Sequence, residues 1–237
     1  MSERQREGLG ALKAARRALG QRGPWITYLA CPEEEVRIPP GPDLLAALDP
    51  RLHRKPNGDP LFWDFFVPSP GGYCLEVLKQ GTAEGPVRPI FWACIGPEGG
   101  VELARPVGSR TFTPGRLALG SHGLALEAMG FFQFCAWLYR RVGYEGPVQA
   151  GLVADRMTGL VLDPHPDGEV GGAALRADGP AHEAALALAE LAAGAPPELV
   201  CVFLDGLYRE AVGVPCPHFL AGGSLRRARR GGPLGGG

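Results

Sequence analysis

The segment from residue 105 to residue 111 combines the residue types that bind a phosphate group. It reads Arg-Pro-Val-Gly-Ser-Arg-Thr and follows a predicted strand. A guanidinium offers a two-pronged donor to phosphate oxygens, and glycine lets backbone N–H groups approach an anion. The candidate ligands are Arg105, Gly108, Ser109 and Arg110. The simpler interpretation is a turn that carries surface arginines, and it is favoured because short loops of Arg, Gly and Ser are common turns.

Nucleotide sites of the P-loop and Rossmann types are disfavoured. The chain contains no GxxxxGK[ST] motif, and no GxGxxG motif stands between a predicted strand and a predicted helix. The 36 glycines and 24 prolines therefore indicate turns and short elements rather than phosphate-binding loops.

A serine and a histidine stand side by side at residues 121 and 122, directly before a predicted helix. The surrounding residues do not form the GxSxG motif of a nucleophile elbow. Adjacent residues seldom aim their side chains into one hydrogen bond, so Ser121 and His122 are not a ready catalytic pair. We expect Ser121 to be the N-cap of the helix.

One short cluster holds the residue types that bind metals. Asp163, His165 and Asp167 fall within five residues, and Cys216 and His218 follow near the end of the chain. Neither group has a zinc spacing such as paired CxxC motifs or HExxH. The prolines between them indicate a rigid surface turn. The sequence therefore assigns no metal, no cofactor and no catalytic residue.

Other polar residues are predicted to face solvent. His53 lies in a basic loop, His182 starts a predicted helix, and Asp205 lies opposite the apolar stripe of another helix. A run of glutamates at residues 33–35 is also expected to be solvated.

The overall charge limits the classes of partner. The 237 residues contain 24 Lys and Arg against 25 Asp and Glu, so the chain lacks the global positive charge of a general DNA-coating protein. A local basic patch remains open at the end of the chain, where four arginines stand among glycines: Arg226, Arg227, Arg229 and Arg230. Their phosphate affinity would weaken steeply with salt.

The cellular compartment is predicted from the absence of membrane-spanning and signal-peptide patterns in the sequence. No apolar run approaches the roughly 18–20 residues of a membrane-spanning helix, and no apolar stretch follows the N-terminal residues. We therefore expect a cytoplasmic protein without a membrane partner. The six cysteines are scattered without a CxxC pair, so they are expected to be reduced thiols, most of them buried.

The first half of the chain is predicted to form hairpins. Stretches rich in aromatic and β-branched residues alternate with Pro/Gly turns too short for a parallel crossover. The predicted strands cover residues 25–31, 61–67, 73–79, 87–95 and 101–106. Asp43 is expected to cap a short helix over residues 44–48.

The second half is predicted to be mainly helical. Residues 123–142 are apolar almost all round, which indicates a buried helix. Two short strands are expected over residues 151–154 and 160–163, followed by a helical pair over residues 181–193 and 197–212 that ends at Gly213. The predicted fold class is α+β, with an antiparallel, hairpin-rich sheet packed against buried helices.

Three regions follow from this pattern. Residues 1–22 are predicted to form a basic helix, residues 23–221 a single α+β domain, and residues 222–237 a disordered Gly/Arg tail.

Several short motifs resemble one family. Residues 103–111 resemble the R-x-G-S-x-T segment of Schlafen-type, AlbA-like DNA-binding proteins of bacteria, and residues 137–147 look like their LY-x-R-x-GY-x-GP stretch. Residues 189–192 and 203–209 follow in the order expected there, so the resemblance covers residues 85–215. The family's early acidic/lysine constellation and its AFAN-x-x-GG motif are absent. The resemblance therefore implies the C-terminal, accessory part of such a protein, and no nuclease carboxylate carries over.

The sequence favours a non-catalytic binding or interaction protein with a protein partner. It would act as a subunit or adaptor in a bacterial regulatory or nucleic-acid-linked complex, with nucleic acid bound through local arginine clusters. The alternative is a hydrolase or a metal-dependent phosphoesterase built around residues 121–122 or 163–167. A third hypothesis is an obligate subunit whose apolar residues 129–139 face a partner instead of an internal core.

Overall fold

The computed structural model of the chain gives an α+β fold. It describes residues 24–34, 36–38, 41–62, 64–69, 72–79, 88–107, 109–110, 117–162, 174–176 and 181–217. The predicted N-terminal helix and the arginine tail lie outside these residues. Within the described part of the chain, no helix is long and apolar enough to cross a membrane.

Seven strands form one antiparallel sheet. In chain order they are β1 Trp25–Pro32, β2 Val67–Ser69, β3 Gly72–Lys79, β4 Arg88–Ile95, β5 Val101–Pro106, β8 Val148–Asp155 and β10 Ala181–Leu186. Their spatial order is β10-β8-β1-β5-β4-β3-β2. Three short strands, β6 Ser109–Arg110, β7 Leu117–Leu119 and β9 Val161–Leu162, form a second sheet in which β7 and β9 are parallel. The antiparallel fold predicted from the short connections is confirmed.

Four α-helices complete the described fold. They are α1 Pro42–Ala47, α2 Ser121–Arg141, α3 Leu188–Ala192 and α4 Val202–Val212, with a π-helical segment Pro196–Cys201 directly before α4. The end of α4 is as predicted, because Gly213 adopts the left-handed conformation at φ 77° that closes a helix. The short helix α1 begins after Gly41, and Asp43 lies in its first turn instead of at the cap.

Helix α2 packs against one face of the seven-stranded sheet. In β1, Ile26, Tyr28 and Ala30 alternate onto this face and are buried. The Tyr28 ring contacts Phe131 of α2 at a centroid distance of 5.7 Å. Fourteen of the 21 residues of α2 are buried. Its apolar centre therefore packs inside this chain's own core, as the buried-helix prediction required, and does not need a partner to cover it.

The predicted strand over residues 61–67 is wrong for most of its length. Leu61 and Phe62 are consecutive and both buried, which a strand with one buried face does not allow. Phe62 instead meets the rings of Phe66, Phe91 and Phe134 at centroid distances of 5.0, 6.4 and 4.8 Å. The loop therefore places Phe62 in a cluster with Phe66, Phe91 and Phe134, which we call the aromatic plug. Only Val67–Ser69 pairs as strand β2.

The predicted helix over residues 181–193 is replaced by a strand and a short helix. Residues 181–186 pair with β8 as its outer neighbour, with Leu186 opposite Val148. Their alanines favour a helix locally, but pairing with an exposed sheet edge overrides that weak preference. Helix α3 starts only after Ala187, whose backbone N–H donates to Glu190 Oε2 at 2.7 Å.

Candidate functional site

A cluster of charged side chains lies between the sheet and helix α2. The Glu127 carboxylate is fully buried, and the Arg105 guanidinium forms an ion pair with it through Nε. On its other side, Lys55 Nζ lies 3.4 Å from Glu127 Oε2. The side chains of Arg105 and Lys55 are 29% and 12% exposed. Two partly covered cations thus compensate one enclosed carboxylate.

Three different elements position this cluster. Arg105 shares the α2-facing side of β5 with Val101 and Leu103, which are both buried. Glu127 is presented by α2. Lys55 is placed by a tight loop in which its own N–H donates to Asp59 O, and the Gly58 N–H donates to Lys55 O, both at 2.8 Å. The cluster therefore forms only when sheet, helix and loop are assembled.

Electrostatics tie the members of the cluster together. Burial by itself lowers the pKa of Arg105, but the charge of Glu127 and the neighbouring Tyr28 outweigh it, so the pKa of Arg105 is raised. Burial, followed by the Glu127 charge, raises the pKa of Tyr28 well above its usual value. Neither Glu127 oxygen makes a well-directed hydrogen bond to a described residue. Charge pairing is thus what compensates this carboxylate, and an enclosed carboxylate cannot touch a substrate.

Gly130 allows the Lys55 loop to approach α2. A Cβ at this position would lie 3.1 Å from Lys55 Cα and 3.4 Å from Leu61 Cδ1. The loop backbone is held in place, since the Leu61 N–H donates to His53 O at 3.0 Å. The close approach of helix and loop therefore depends on glycine.

We expect Gly130→Ala to lower the free energy of unfolding by about 1 kcal/mol, because crowding outweighs the gain in helix propensity. Gly206→Ala is the matched control, since an added Cβ on this helical glycine meets nothing within 4 Å. It should raise stability by roughly 0.5–1 kcal/mol. Urea denaturation of both variants measures the difference, and equal gains would contradict the close packing.

The predicted phosphate loop is divided by the structure. Arg105 turns inward to Glu127. Ser109 and Arg110 form strand β6, opposite Ala118 and Leu117 of β7. Gly108 lies outside the described residues. Phosphate binding by these residues stays a prediction, and Arg105 could join it only by leaving its carboxylate.

Ser121 is not the N-cap that its position predicted. Gly120 occupies the cap and Ser121 is the first residue of α2. The Ser121 hydroxyl is buried and hydrogen-bonded to the Tyr208 hydroxyl of α4 at 2.7 Å. Its role in the fold is to connect two helices. His122 beside it is half-buried, and burial lowers the pKa of its ring.

The structure also corrects the prediction that His53, Asp205 and His182 face solvent. His53 is buried against the rings of Phe134 and Trp137, at centroid distances of 4.8 and 4.6 Å. Asp205 Oδ1 accepts the backbone N–H of Cys216 at 2.6 Å and so fastens the chain after α4. His182 lies in strand β10, half-buried, and not at a helix start. Sequence position alone could not show these tertiary contacts.

His53 gives the fold a defined dependence on pH. Its Nε2–H donates to Ala47 O at 2.8 Å, and burial lowers the pKa of the ring below its ordinary 6.5. Below pH 6.5 the unfolded chain therefore binds more protons at this residue than the folded chain. The contribution of the neutral ring to stability is complete above pH 6.5 and is lost as the pH falls toward the folded-state pKa.

We expect the free energy of unfolding to decrease on acidification below about pH 6.5. The slope should be smaller in His53→Gln. Denaturant titrations of both chains between pH 5 and pH 8 measure it. His122→Gln serves as the comparison, because burial lowers the pKa of that ring as well. An unchanged slope in His53→Gln would show that the buried ring does not titrate differently in the two states.

An open groove lies along the C-terminal half of α2. Its volume is about 430 Å³, and it is lined by Gln133, Trp137, Arg140, Arg141 and Ala192. The Arg141 guanidinium carbon lies 5.8 Å from the centroid of the Trp137 ring, and both arginines are exposed. This Trp–Arg groove offers an aromatic surface flanked by two cations. Trp137 and Arg141 are four residues apart on a helix, so their proximity could have been predicted.

The metal-binding hypothesis stays a prediction, because most of its residues lie outside the part of the chain that the structure describes. There, no group of three or more His, Cys, Asp or Glu residues is arranged to hold a metal ion. Asp163, His165, Asp167 and His218 lie outside the described residues. All six cysteines are thiols, with Cys135 and Cys216 buried and the other four half-buried.

Glu127 is the polar residue that the sequence analysis missed. The sequence contains a signal for it, since Glu127 is a single carboxylate in the apolar centre of a predicted buried helix. Such a group has to pair with a cation, because an unpaired buried charge is costly. The identity of that cation was not readable, since Arg105 and Lys55 come from distant parts of the chain. No protein-family model, curated protein or solved structure matches the chain.

Proposed function

We propose that the chain is a non-catalytic binding protein that docks a protein partner as a subunit or adaptor. The Trp–Arg groove carries the proposal. Tryptophan and arginine are among the residue types most enriched where binding energy concentrates in protein interfaces. Here Trp137 lines an open groove together with two exposed arginines, Arg140 and Arg141.

The chemistry of the groove favours an acidic segment of the partner. The guanidinium groups of Arg140 and Arg141 match the geometry of carboxylates, which they can engage through paired hydrogen bonds. The Trp137 ring adds an apolar surface that is already held in place by His53 and Phe134. A held ring loses little freedom on binding, which improves affinity. The ionic part of such binding weakens as salt screens it.

The environment of two buried ionisable groups and the lining of the groove support a role without catalysis. Glu127 is fully enclosed and neutralised, and His53 is buried in an aromatic cluster. Neither can meet a substrate in this arrangement. In the described residues, the open cavity is lined by cations, an amide and apolar groups, a set that lacks a general base at neutral pH.

A nucleic-acid-linked complex in a bacterial cytoplasm is part of the proposal. It rests on the resemblance of residues 103–111 and 137–147 to DNA-binding proteins and on the arginines of residues 226–230. The second of these segments begins within the Trp–Arg groove. Nucleic acid could therefore reach the same surface, and the experiment has to distinguish it from a protein.

The test is affinity purification of the full chain from its own cells, with half of the lysate treated with nuclease. A charge-reversed variant, Arg140→Glu with Arg141→Glu, is compared with Arg209→Glu, which reverses an exposed cation on α4. We expect a stoichiometric protein that survives nuclease, is retained by Arg209→Glu and is lost from the charge-reversed variant. Raising the salt concentration should elute it.

Two outcomes would overturn the assignment of the groove to a protein partner. Partners that disappear with nuclease, together with binding of a labelled oligonucleotide that requires Arg140 and Arg141, would make the groove a nucleic-acid site. Equal retention of the partner by wild type and the charge-reversed variant would remove the groove from binding altogether.

A further inference from the structure

Cys74 and Cys94 lie directly opposite each other on the neighbouring strands β3 and β4. Their Sγ atoms are 3.4 Å apart. Opposed residues of an antiparallel pair have Cα atoms roughly 4.5–5.5 Å apart, which falls within the range that a disulfide spans. A disulfide needs its sulfurs about 2.05 Å apart, so a small rotation of the two side chains would close the gap.

Both thiols are on the sheet face that points away from α2. On β3, Tyr73 and Leu75 are buried on the α2 side, and Cys74 between them is half-buried on the other. Cys94 is likewise half-buried between Ala93 and Ile95. A small reagent can therefore approach the pair without unfolding the core.

We propose that Cys74 and Cys94 form an oxidisable thiol pair that a low-molecular-weight disulfide of the glutathione class converts into a cross-strand disulfide. The inference is independent of the Trp–Arg groove. In a reducing compartment such bonds are transient and respond to oxidants, so the pair would be a reversible modification site.

Either thiol can begin the exchange and the other complete it, because the two cysteines lie directly opposite each other and both are half-buried. Burial, and next the neighbouring Cys74, raise the pKa of Cys94.

The reaction balances in two steps. One of the two cysteines, as the thiolate, attacks one sulfur of oxidised glutathione, forming a mixed disulfide and releasing one glutathione thiolate. The other cysteine then loses its proton and attacks the protein sulfur of the mixed disulfide, which expels the second glutathione. Two protein thiols are oxidised to one disulfide, one glutathione disulfide is reduced to two thiols, and the two cysteine protons pass to the released glutathione.

The test treats the reduced, folded full chain with oxidised glutathione, followed by intact mass, thiol counting and peptide mapping. We expect the chain to lose the mass of two hydrogens, the count of thiols to fall from six to four, and one peptide to join Cys74 to Cys94. A dithiol reductant should restore all six.

Single substitutions test the two steps of the exchange. Cys94→Ser should stop at the mixed disulfide on Cys74, and Cys74→Ser should stop at the mixed disulfide on Cys94, since no thiol remains to resolve either one. Cys201→Ser, which alters another half-buried thiol, should still form the cross-strand bond.

The proposal is overturned if the mapped disulfide joins other cysteines. It is overturned equally if the folded chain keeps all six thiols under conditions in which the urea-unfolded chain is oxidised. Circular dichroism of each variant shows whether the chain is folded during the reaction.

Discussion

Replacing Glu127 by glutamine is expected to lower the free energy of unfolding by about 3 kcal/mol. The substitution keeps the shape of the side chain but removes the charge that compensates Arg105 and Lys55. Both cations would then lie at a largely buried site without a counter-charge. We place the loss at the low end for buried pairs because the Arg105 side chain is 29% exposed and retains some hydration.

Urea denaturation followed by tryptophan fluorescence measures this loss. Glu145→Gln is the matched control, because Glu145 is exposed and its substitution should change stability by less than about 0.5 kcal/mol. A triple variant, in which Lys55, Arg105 and Glu127 are all replaced by Met, should recover much of the loss, since it leaves no charge buried at the site. Equal stability of Glu127→Gln and wild type would show that the ion pairs contribute nothing net.

Replacing Phe62 by alanine should lower the free energy of unfolding by about 4 kcal/mol. The ring is 2% exposed and stands at the centre of the aromatic plug, where its removal opens a cavity among Phe66, Phe91 and Phe134. Aromatic contacts beyond simple burial are lost as well.

Phe65→Ala provides the control in the same loop. This ring is 56% exposed, so its truncation should change stability by less than about 0.5 kcal/mol. Leu61 distinguishes the observed loop from the strand predicted over residues 61–67. In a strand, Phe62 and Phe65 would also lie on opposite faces, but Leu61 would share the exposed face of Phe65, whereas it is fully buried. Similar losses in both variants would contradict the plug.

Local sequence signals were sufficient to predict an element where the residues that mark its ends lie next to it in the chain. Strand β5 matches its prediction over residues 101–106, between a Gly-rich turn and Pro106. Helix α2 was readable because its apolar run is long and ends in two arginines and a glycine. These features depend on neighbouring residues, so the sequence contains them directly.

Elements that depend on distant partners were not predictable in this way. The alanines of β10 favour a helix until the edge of β8 offers them hydrogen bonds. The cluster of Glu127, Arg105 and Lys55 could not be predicted for the same reason, because the two cations that pair with Glu127 lie on a strand and a loop elsewhere in the chain. The Trp–Arg groove was predictable only in part, since four of its residues are neighbours on α2 but Ala192 comes from α3.

The position of β1 in the sheet has a consequence for how the chain folds. This strand is formed early in the sequence, yet its neighbours are β5 and β8, which end at Pro106 and Asp155. During synthesis β1 stays unpaired until β5 has been made, its other edge stays open until β8 follows, and β10 can join only later still. Chains dominated by such distant pairings fold slowly, because loop closure costs entropy before the contacts form. Until α2 and β8 follow, the apolar face of β1 with Ile26 and Tyr28 and one edge of the strand are exposed, so the nascent chain is most prone to aggregate before residue 155 is made.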